Sequence, residues 1–362
     1  MRLNFAPASA RSVAALAMAA LAGYLASAAH VPLAWILGPL LTTAVASVSG
    51  FPVFAPVGGR RFGQIMVGAS IGLNITADVA LLMLLWLPAM ILTAVVGILV
   101  AAVVSVPFSA ASGLDRKTAY FCMMPGGLSE MANLGAAAGA QPEPIAVSQA
   151  LRVALLVCLL PPLIIALDIH GTDTRVLSLP ILDAGRTVMV LVIGALGVGI
   201  ARIVRLNNPW MIGALLAVGI TAACGLLEGR LPMPLYWLGQ FLIGISIGAR
   251  FKRETVLRLP RVFLTSAVFI LVLATLLFGY AAVLSRVGGL DLASAALGAS
   301  PGGLAEMSIT AQTLHLSVGL VTAFHAVRAV MVNGFSSSFL GLLERIGLLD
   351  LVARMGKLFH RT

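Results

Sequence analysis

Apolar residues run through this chain in long blocks separated by short polar turns. In the first half the blocks lie at roughly 12–29, 33–49, 62–75, 80–106, 118–139 and 145–167. In the second they lie at roughly 187–204, 209–226, 238–249, 262–285, 293–313 and 317–343. Most approach or exceed the ~20 residues a helix needs to cross a bilayer. The blocks at 62–75 and 238–249 are short for a crossing and are expected to tilt or stop near a cavity. The pattern predicts an all-α integral membrane fold. The run Val13–Ala29 follows Arg2 and Arg11 and has the look of a signal peptide. It is longer than a usual signal core and has a counterpart at Val188–Val204, with Gly23 on Gly199, so it reads as the first span.

The blocks repeat. A shift of 176 residues lays Gly63-Gln64-Ile65-Met66-Val67-Gly68-Ala69-Ser70-Ile71-Gly72 on Gly239-Gln240-Phe241-Leu242-Ile243-Gly244-Ile245-Ser246-Ile247-Gly248, six of ten identical. The same shift lays Pro125-Gly126-Gly127-Leu128-Ser129-Glu130-Met131 on Pro301-Gly302-Gly303-Leu304-Ala305-Glu306-Met307, six of seven identical. Gly113-Leu114-Asp115 falls on Gly289-Leu290-Asp291, and Arg152 on Arg328. With a one-residue slip, Trp35-Ile36-Leu37-Gly38 falls on Trp210-Met211-Ile212-Gly213. Two repeats result, 1–176 and 177–362, joined by a polar stretch at Asp168–Arg186.

Composition agrees with a membrane setting. Of 362 residues, 60% are hydrophobic and 10% charged, against about 25% charged in a soluble domain. The net charge of +10 marks cytoplasmic loops better than a nucleic-acid surface. Basic residues sit at the N-terminus, Arg60-Arg61 and Arg116-Lys117 in one half, but at Arg202, Arg205 and the run Arg250–Arg261 in the other. These occupy opposite sets of loops, as inverted copies would. If each Pro-Gly-Gly segment enters and leaves on one side, each half has five crossings. Most extramembrane Lys and Arg then fall on the cytoplasmic side with both termini, leaving Arg175, Arg186, Arg230 and Arg286 opposite. The expectation is two inverted-topology repeats with about ten transmembrane helices plus two broken or re-entrant elements, multi-pass in the inner membrane.

The repeated motifs carry the candidate chemistry. Pro125 and Pro301 remove a backbone donor, and Gly126-Gly127 and Gly302-Gly303 interrupt the helix. Broken backbone at membrane depth persists only where protein or a water-filled cavity satisfies it. Two such breaks expose unpaired N–H groups and helix dipoles, suited to holding substrate or coupling ions. Glu130 and Glu306 follow each break; each is either a proton- or cation-binding carboxylate or a helix-start acid on its own backbone donors. Arg152 and Arg328 lie deep in apolar blocks, as partners of the glutamates or as a clamp for an anion. Gln64 and Gln240 are placed to line a polar path or to bond between helices, and Gln149 and His325 stand three residues before the paired arginines. Cys122, Cys158 and Cys224 read as packing residues, and the scattered histidines show no metal-ligand spacing.

With these motifs over almost its whole length, the chain resembles the AbrB-duplication membrane family, which is distinct from the soluble DNA-binding regulator of the same name. Members are variously described as transporters, regulators of gene expression and ammonia monooxygenases. More distantly it is similar to the inverted-repeat superfamily of cation/proton antiporters and anion transporters, whose broken helices form the substrate site. The resemblance implies a transport fold. An oxygenase would need grouped metal ligands, and an ATP-driven pump a phosphate-binding loop; neither is written here. The expected activity is secondary transport of a small solute, an organic anion or metabolite, coupled to H⁺ or Na⁺ by alternating access at the inverted-repeat interface. A membrane sensor that indirectly regulates gene expression is the alternative. No enzyme activity, cofactor, metal or direct nucleic-acid contact is expected; the partners are the solute, its coupling ion and the bilayer, with a homo-oligomer left open.

Overall fold

The computed structural model describes residues 8–51, 53, 55–167, 179–206 and 208–345. Arg2, Arg175, the joint at 168–178 and the basic tail beyond Arg345 lie outside them. Among the described residues the secondary structure is helical apart from one isolated bridge, Ile181 to Arg230. In chain order the helices are α1 (Ala8–Ala28), α2 (Ala34–Val48), α3 (Gly59–Gly72), α4 (Ala77–Leu85), α5 (Leu87–Ser112), α6 (Arg116–Met123), α7 (Leu128–Ala137) and α8 (Pro142–Ala166). Then come α9 (Ala184–Ile203), α10 (Pro209–Ala223), α11 (Met233–Gly248), α12 (Arg253–Arg258), α13 (Pro260–Gly288), α14 (Leu292–Ala299), α15 (Leu304–Thr313) and α16 (Val318–Arg345).

Five of these, α5, α8, α9, α13 and α16, are long and apolar enough to cross a membrane. A sixth crossing is available if α3 and α4, bent by 98°, count as one broken span. Four shorter apolar helices, including α2, α10 and α11, accompany them. The outer faces carry apolar stripes. On α9, Val188, Val192, Leu196 and Ile200 are exposed at four-residue spacing, while Val190, Gly194, Gly197, Val198 and Ala201 are buried. Such a stripe is a liability in water and the expected surface in hydrocarbon, where the helix satisfies its own backbone. This is the make-up of a multi-pass membrane protein.

The chain folds into two compact units, and each draws on both sequence halves. The first takes its described residues from Met1–Leu81, Val157–Leu257 and Ser308–Gly319; the second takes them from Leu82–Leu156, Arg258–Met307 and Leu320–Thr362. In the first unit α1 packs on α2 and α9 on α10, while α3 packs on α10 and α11 on α2. Glycines permit these approaches. A Cβ on Gly68 would stand 2.6 Å from the Met211 carbonyl oxygen, and one on Gly244 2.6 Å from that of Ile36. A Cβ on Gly72 would meet the Leu215 carbonyl at 2.9 Å, and one on Gly248 would collide with Leu40 and Thr43. Gly63 and Gly239 face each other's carbonyls. The small-residue faces predicted from the repeated Gly-Gln motif are therefore helix–helix contacts.

In the second unit α5 packs on α6, α13 on α14, and α5 on α13. Phe108 meets Phe269 edge-on at 5.7 Å, and Thr93 pairs with the Tyr280 hydroxyl at 3.0 Å. The Gly-Leu-Asp triplets end one helix and start the next. Gly113 and Gly289 take left-handed φ of 78° and 73°, closing α5 and α13, a conformation that glycine adopts at little cost. Two residues on, Asp115 and Asp291 accept the backbone N–H of Thr118 and Ser294 at 2.9 and 2.7 Å, capping α6 and α14.

Candidate functional site

Each Pro-Gly-Gly segment predicted to be broken is broken. In the first half α6 stops at Met123; Met124 is extended, and Gly127 opens α7 as its N-cap. In the second half α14 stops at Ala299 and α15 begins at Leu304. The motif packs on itself. The Met131 side chain lies over Gly126, where a Cβ would meet its methyl at 2.6 Å, and Met307 lies over Gly302 in the same way. The carboxylates of Glu130 and Glu306 fold back over Gly127 and Gly303, occupying the place a Cβ would take. A Cβ at Gly127 or Gly303 would displace the carboxylate three residues later from its place at the first turn, where a carboxylate favours the helix dipole.

Freed carbonyls at each break are gathered by a side-chain strap from the following long helix. Arg152 of α8 donates through Nη1 to the Met124 carbonyl at 2.5 Å and through Nη2 to that of Gly126 at 2.6 Å. One turn earlier, Gln149 Nε2 donates to the carbonyls of Phe121 and Met124 at 2.8 and 2.9 Å. The second half repeats this. Arg328 of α16 donates through Nη1 to Ser300 and through Nη2 to Gly302, the latter at 2.6 Å. His325 Nε2 stands 2.9 Å from the Leu297 carbonyl, and its Nδ1 is 2.8 Å from Arg328 Nη2. A guanidinium only donates, so Nδ1 accepts and Nε2 carries the proton that Leu297 takes. Both ring nitrogens are committed, and His325 is the neutral counterpart of Gln149.

These groups form one charged cluster inside the second unit. Arg152 and Glu306 are 1% and 2% exposed, and Arg328 and His325 are buried as well, whereas Glu130 is half-buried. Arg152 interacts electrostatically with Glu306 of the other half and with Arg328. Arg152 thus has the deeply buried Glu306 carboxylate as a charge partner, while Arg328 faces a second guanidinium. The Nε–H of Arg152 and of Arg328 has no partner among the described residues. Buried guanidinium donors are costly to leave unmade.

Pro125, Gly126, Gly127, Glu130, Gln149, Arg152, Pro301, Gly302, Gly303, Glu306, His325 and Arg328 thus all fall in the second unit. Gln64 and Gln240 do not join them; both are buried on α3 and α11 in the first unit. The caps Asp115 and Asp291 and the packing of Met131 and Met307 escaped the sequence reading, although the repeat had aligned all four. Among the described residues no group of three or more His, Cys, Asp and Glu side chains is placed to hold a metal.

The family model described as "Transition state regulatory protein AbrB" matches residues 35–344, a span that includes both breaks and both straps. The chain belongs to the AbrB family. Among relatives of this AbrB-family chain, the "Uncharacterized protein YhjN" of Bacillus subtilis (strain 168) is 24% identical over 356 residues, covering 91% of this chain and 92% of its own length. The "Putative regulator AbrB" of Escherichia coli (strain K12) is 24% identical over 316 residues, covering 85% and 89%.

Proposed function

We propose that this AbrB-family protein is a secondary transporter of the inner membrane, with cytoplasmic termini and no enzyme activity. It moves a small anionic solute, an organic acid or metabolite, coupled to H⁺ or Na⁺. One observation carries the reading: two buried guanidiniums are strapped to the two helix breaks, each keeps an Nε–H without a partner, and the deeply buried Glu306 carboxylate acts on Arg152 while Arg328 is set against Arg152 itself. An anion supplies the missing negative charge and accepts those donors. Glu306, with Glu130, provides the group on which a proton or Na⁺ competes for the arginines.

The two halves act as inverted copies in this reading, with alternating access where their breaks meet in the second unit. The recurrence of equivalent contacts supports it. Gly68 on Met211 matches Gly244 on Ile36, Gly72 on Leu215 matches Gly248 on Leu40, and Gly63 and Gly239 are reciprocal. The test is gradient-driven uptake by purified protein in proteoliposomes, across chemically distinct organic anions. Glu130→Gln, Glu306→Gln and Arg152→Ala should each abolish flux, and near-wild-type flux in these folded variants removes the mechanism. The regulator names of the family and of the Escherichia coli relative favour a second reading, a membrane sensor acting on gene expression through a partner. A sensor binds the same anion without moving it.

A further inference from the structure

The first unit carries a half-open cavity of about 470 Å³, within the range that takes a small organic molecule. It is built by the loop before α2, the start of α11, and the last residues of α15 and the loop after it, with Ser70 of α3 and Ile165 of α8. None of its lining belongs to the charged cluster of the second unit. Most of the wall is apolar, from residues such as Leu33, Ile165, Leu231 and Leu314. Trp35 and Trp237 stack at 5.7 Å with their planes 16° apart, giving the wall a rigid aromatic side.

Against this wall stand polar groups with unfinished bonding. Trp35 Nε1–H and Arg230 Nε–H are buried donors without a partner, and Gln312 Oε1 is a buried acceptor without one; all three residues line the cavity. The Gln312 amide nitrogen makes a long contact, 3.5 Å, to Ser70 Oγ, and its oxygen is open. The Tyr236 hydroxyl, which also lines the cavity, is a fourth buried polar atom without a partner, and buried polar atoms are nearly always satisfied, so such a set around one cavity points to a ligand. The two N–H donors, one of them cationic, call for a carboxylate; the Gln312 oxygen calls for an O–H or N–H on the same molecule, and the Tyr236 hydroxyl can serve either.

The repeat shows that these side chains are not a by-product of the fold. Left-handed φ values of 56° at His30 and 57° at Leu33 recur as 56° at Arg205 and 52° at Asn208, so the loop geometry belongs to both halves. The lining recurs only in part: Trp35, Ser70 and Gln240 have Trp210, Ser246 and Gln64 as counterparts, but other positions change. Trp237 and Gln312 correspond under the 176-residue shift to Arg61 and Ala136, and His315, with φ of 54°, stands where the first half has Gly139. Trp210, the counterpart of Trp35, meets the guanidiniums of Arg61 and Arg202 at 5.0 and 5.5 Å instead of a second indole. One copy of a shared framework has acquired an aromatic, amide-lined chamber with an arginine.

We infer that this cavity is a binding site for a small amphipathic carboxylate that has an apolar or aromatic body and one hydrogen-bond donor. Arg230 and Trp35 take the carboxylate, the Trp35–Trp237 wall takes the body, and Gln312 accepts from the donor. The site stands independently of the transport reading.

The test is calorimetric titration of the full chain in nanodiscs with mandelate and 4-hydroxyphenylacetate, two hydroxy acids of different reach. Phenylacetate, which lacks the hydroxyl, and tyramine, which carries a cation in place of the acid, serve as comparisons. Saturable binding of at least one hydroxy acid is expected, with tyramine at least tenfold weaker. Arg230→Gln should weaken that binding at least tenfold, and Gln312→Leu should remove the advantage over phenylacetate while leaving phenylacetate itself unchanged. Glu306→Gln should leave all of these affinities as they were. The assignment fails if neither hydroxy acid binds, if empty nanodiscs respond equally, or if folded Arg230→Gln binds as the parent does. A failure of uptake together with intact binding here counts against the transport reading alone.

Discussion

Arg152 and Arg328 make the same pair of bonds, yet their removal should not cost the same. The Met124 carbonyl has three donors, the Gly126 N–H at 2.8 Å, Gln149 Nε2 at 2.9 Å and Arg152 Nη1. Arg152→Met therefore leaves Met124 satisfied and strands only the Gly126 carbonyl. Among the described residues, Arg328 is the one side-chain donor to both Ser300 and Gly302, because His325 reaches Leu297 instead. Arg328→Met strands two carbonyls and also leaves His325 Nδ1 without its donor. A buried unsatisfied group costs about 1–3 kcal/mol, so Arg328→Met should be the more damaging by about that amount. Charge confuses the raw comparison, since Glu306 interacts with Arg152. The measurement is best made with Glu306→Gln as the common background, which keeps the shape over Gly303 and removes the carboxylate. Unfolding by SDS titration from mixed micelles reads the difference. Equal losses in that background, or a larger loss for Arg152→Met, would refute the account of these arginines as backbone straps.

Two further outcomes follow from the packing. Gly244→Ala should destabilise the protein by about 1–3 kcal/mol, because its Cβ would lie 2.6 Å from a backbone oxygen that has no rotamer to escape by. Gly279→Ala, with nothing within 4 Å of the new methyl, should be neutral or stabilise by up to about 1 kcal/mol, and the same SDS titration compares them. His325→Gln should retain folding within about 1 kcal/mol and leave the pH dependence of uptake unchanged, since Gln149 already does this work in the other half; a shifted pH profile would restore a proton-carrying role for the imidazole.

The helical class and the two breaks were legible because hydropathy and Pro-Gly-Gly act locally. The block at 118–139 resolves into α6 and α7 about Met124–Gly127, and that at 293–313 into α14 and α15. Other features depended on distant residues. The block at 80–106 gives no sign that the chain divides at Trp86, or that α3 and α4 meet at 98°. Sequence offered Glu130 and Glu306, or an anion, as targets for Arg152 and Arg328, and did not foresee the backbone carbonyls to which both donate. That target is set by which unpaired oxygens the break leaves within reach of α8 and α16. The cavity of the first unit was illegible for the same reason, since Trp35, Arg230 and Gln312 come from three separate stretches.

The interleaving of the halves has a consequence for how this protein is made. Neither unit can close until residues beyond Ser308 have left the ribosome, because each borrows helices from both ends of the chain. The glycine-lined face of α3 must wait in the lipid for α10, and α2 must wait for the glycine-lined face of α11. Long-range closure of this kind is slow and exposes half-made surfaces to misassembly. A nascent chain that stalls midway is therefore not half of a working protein but two unfinished ones.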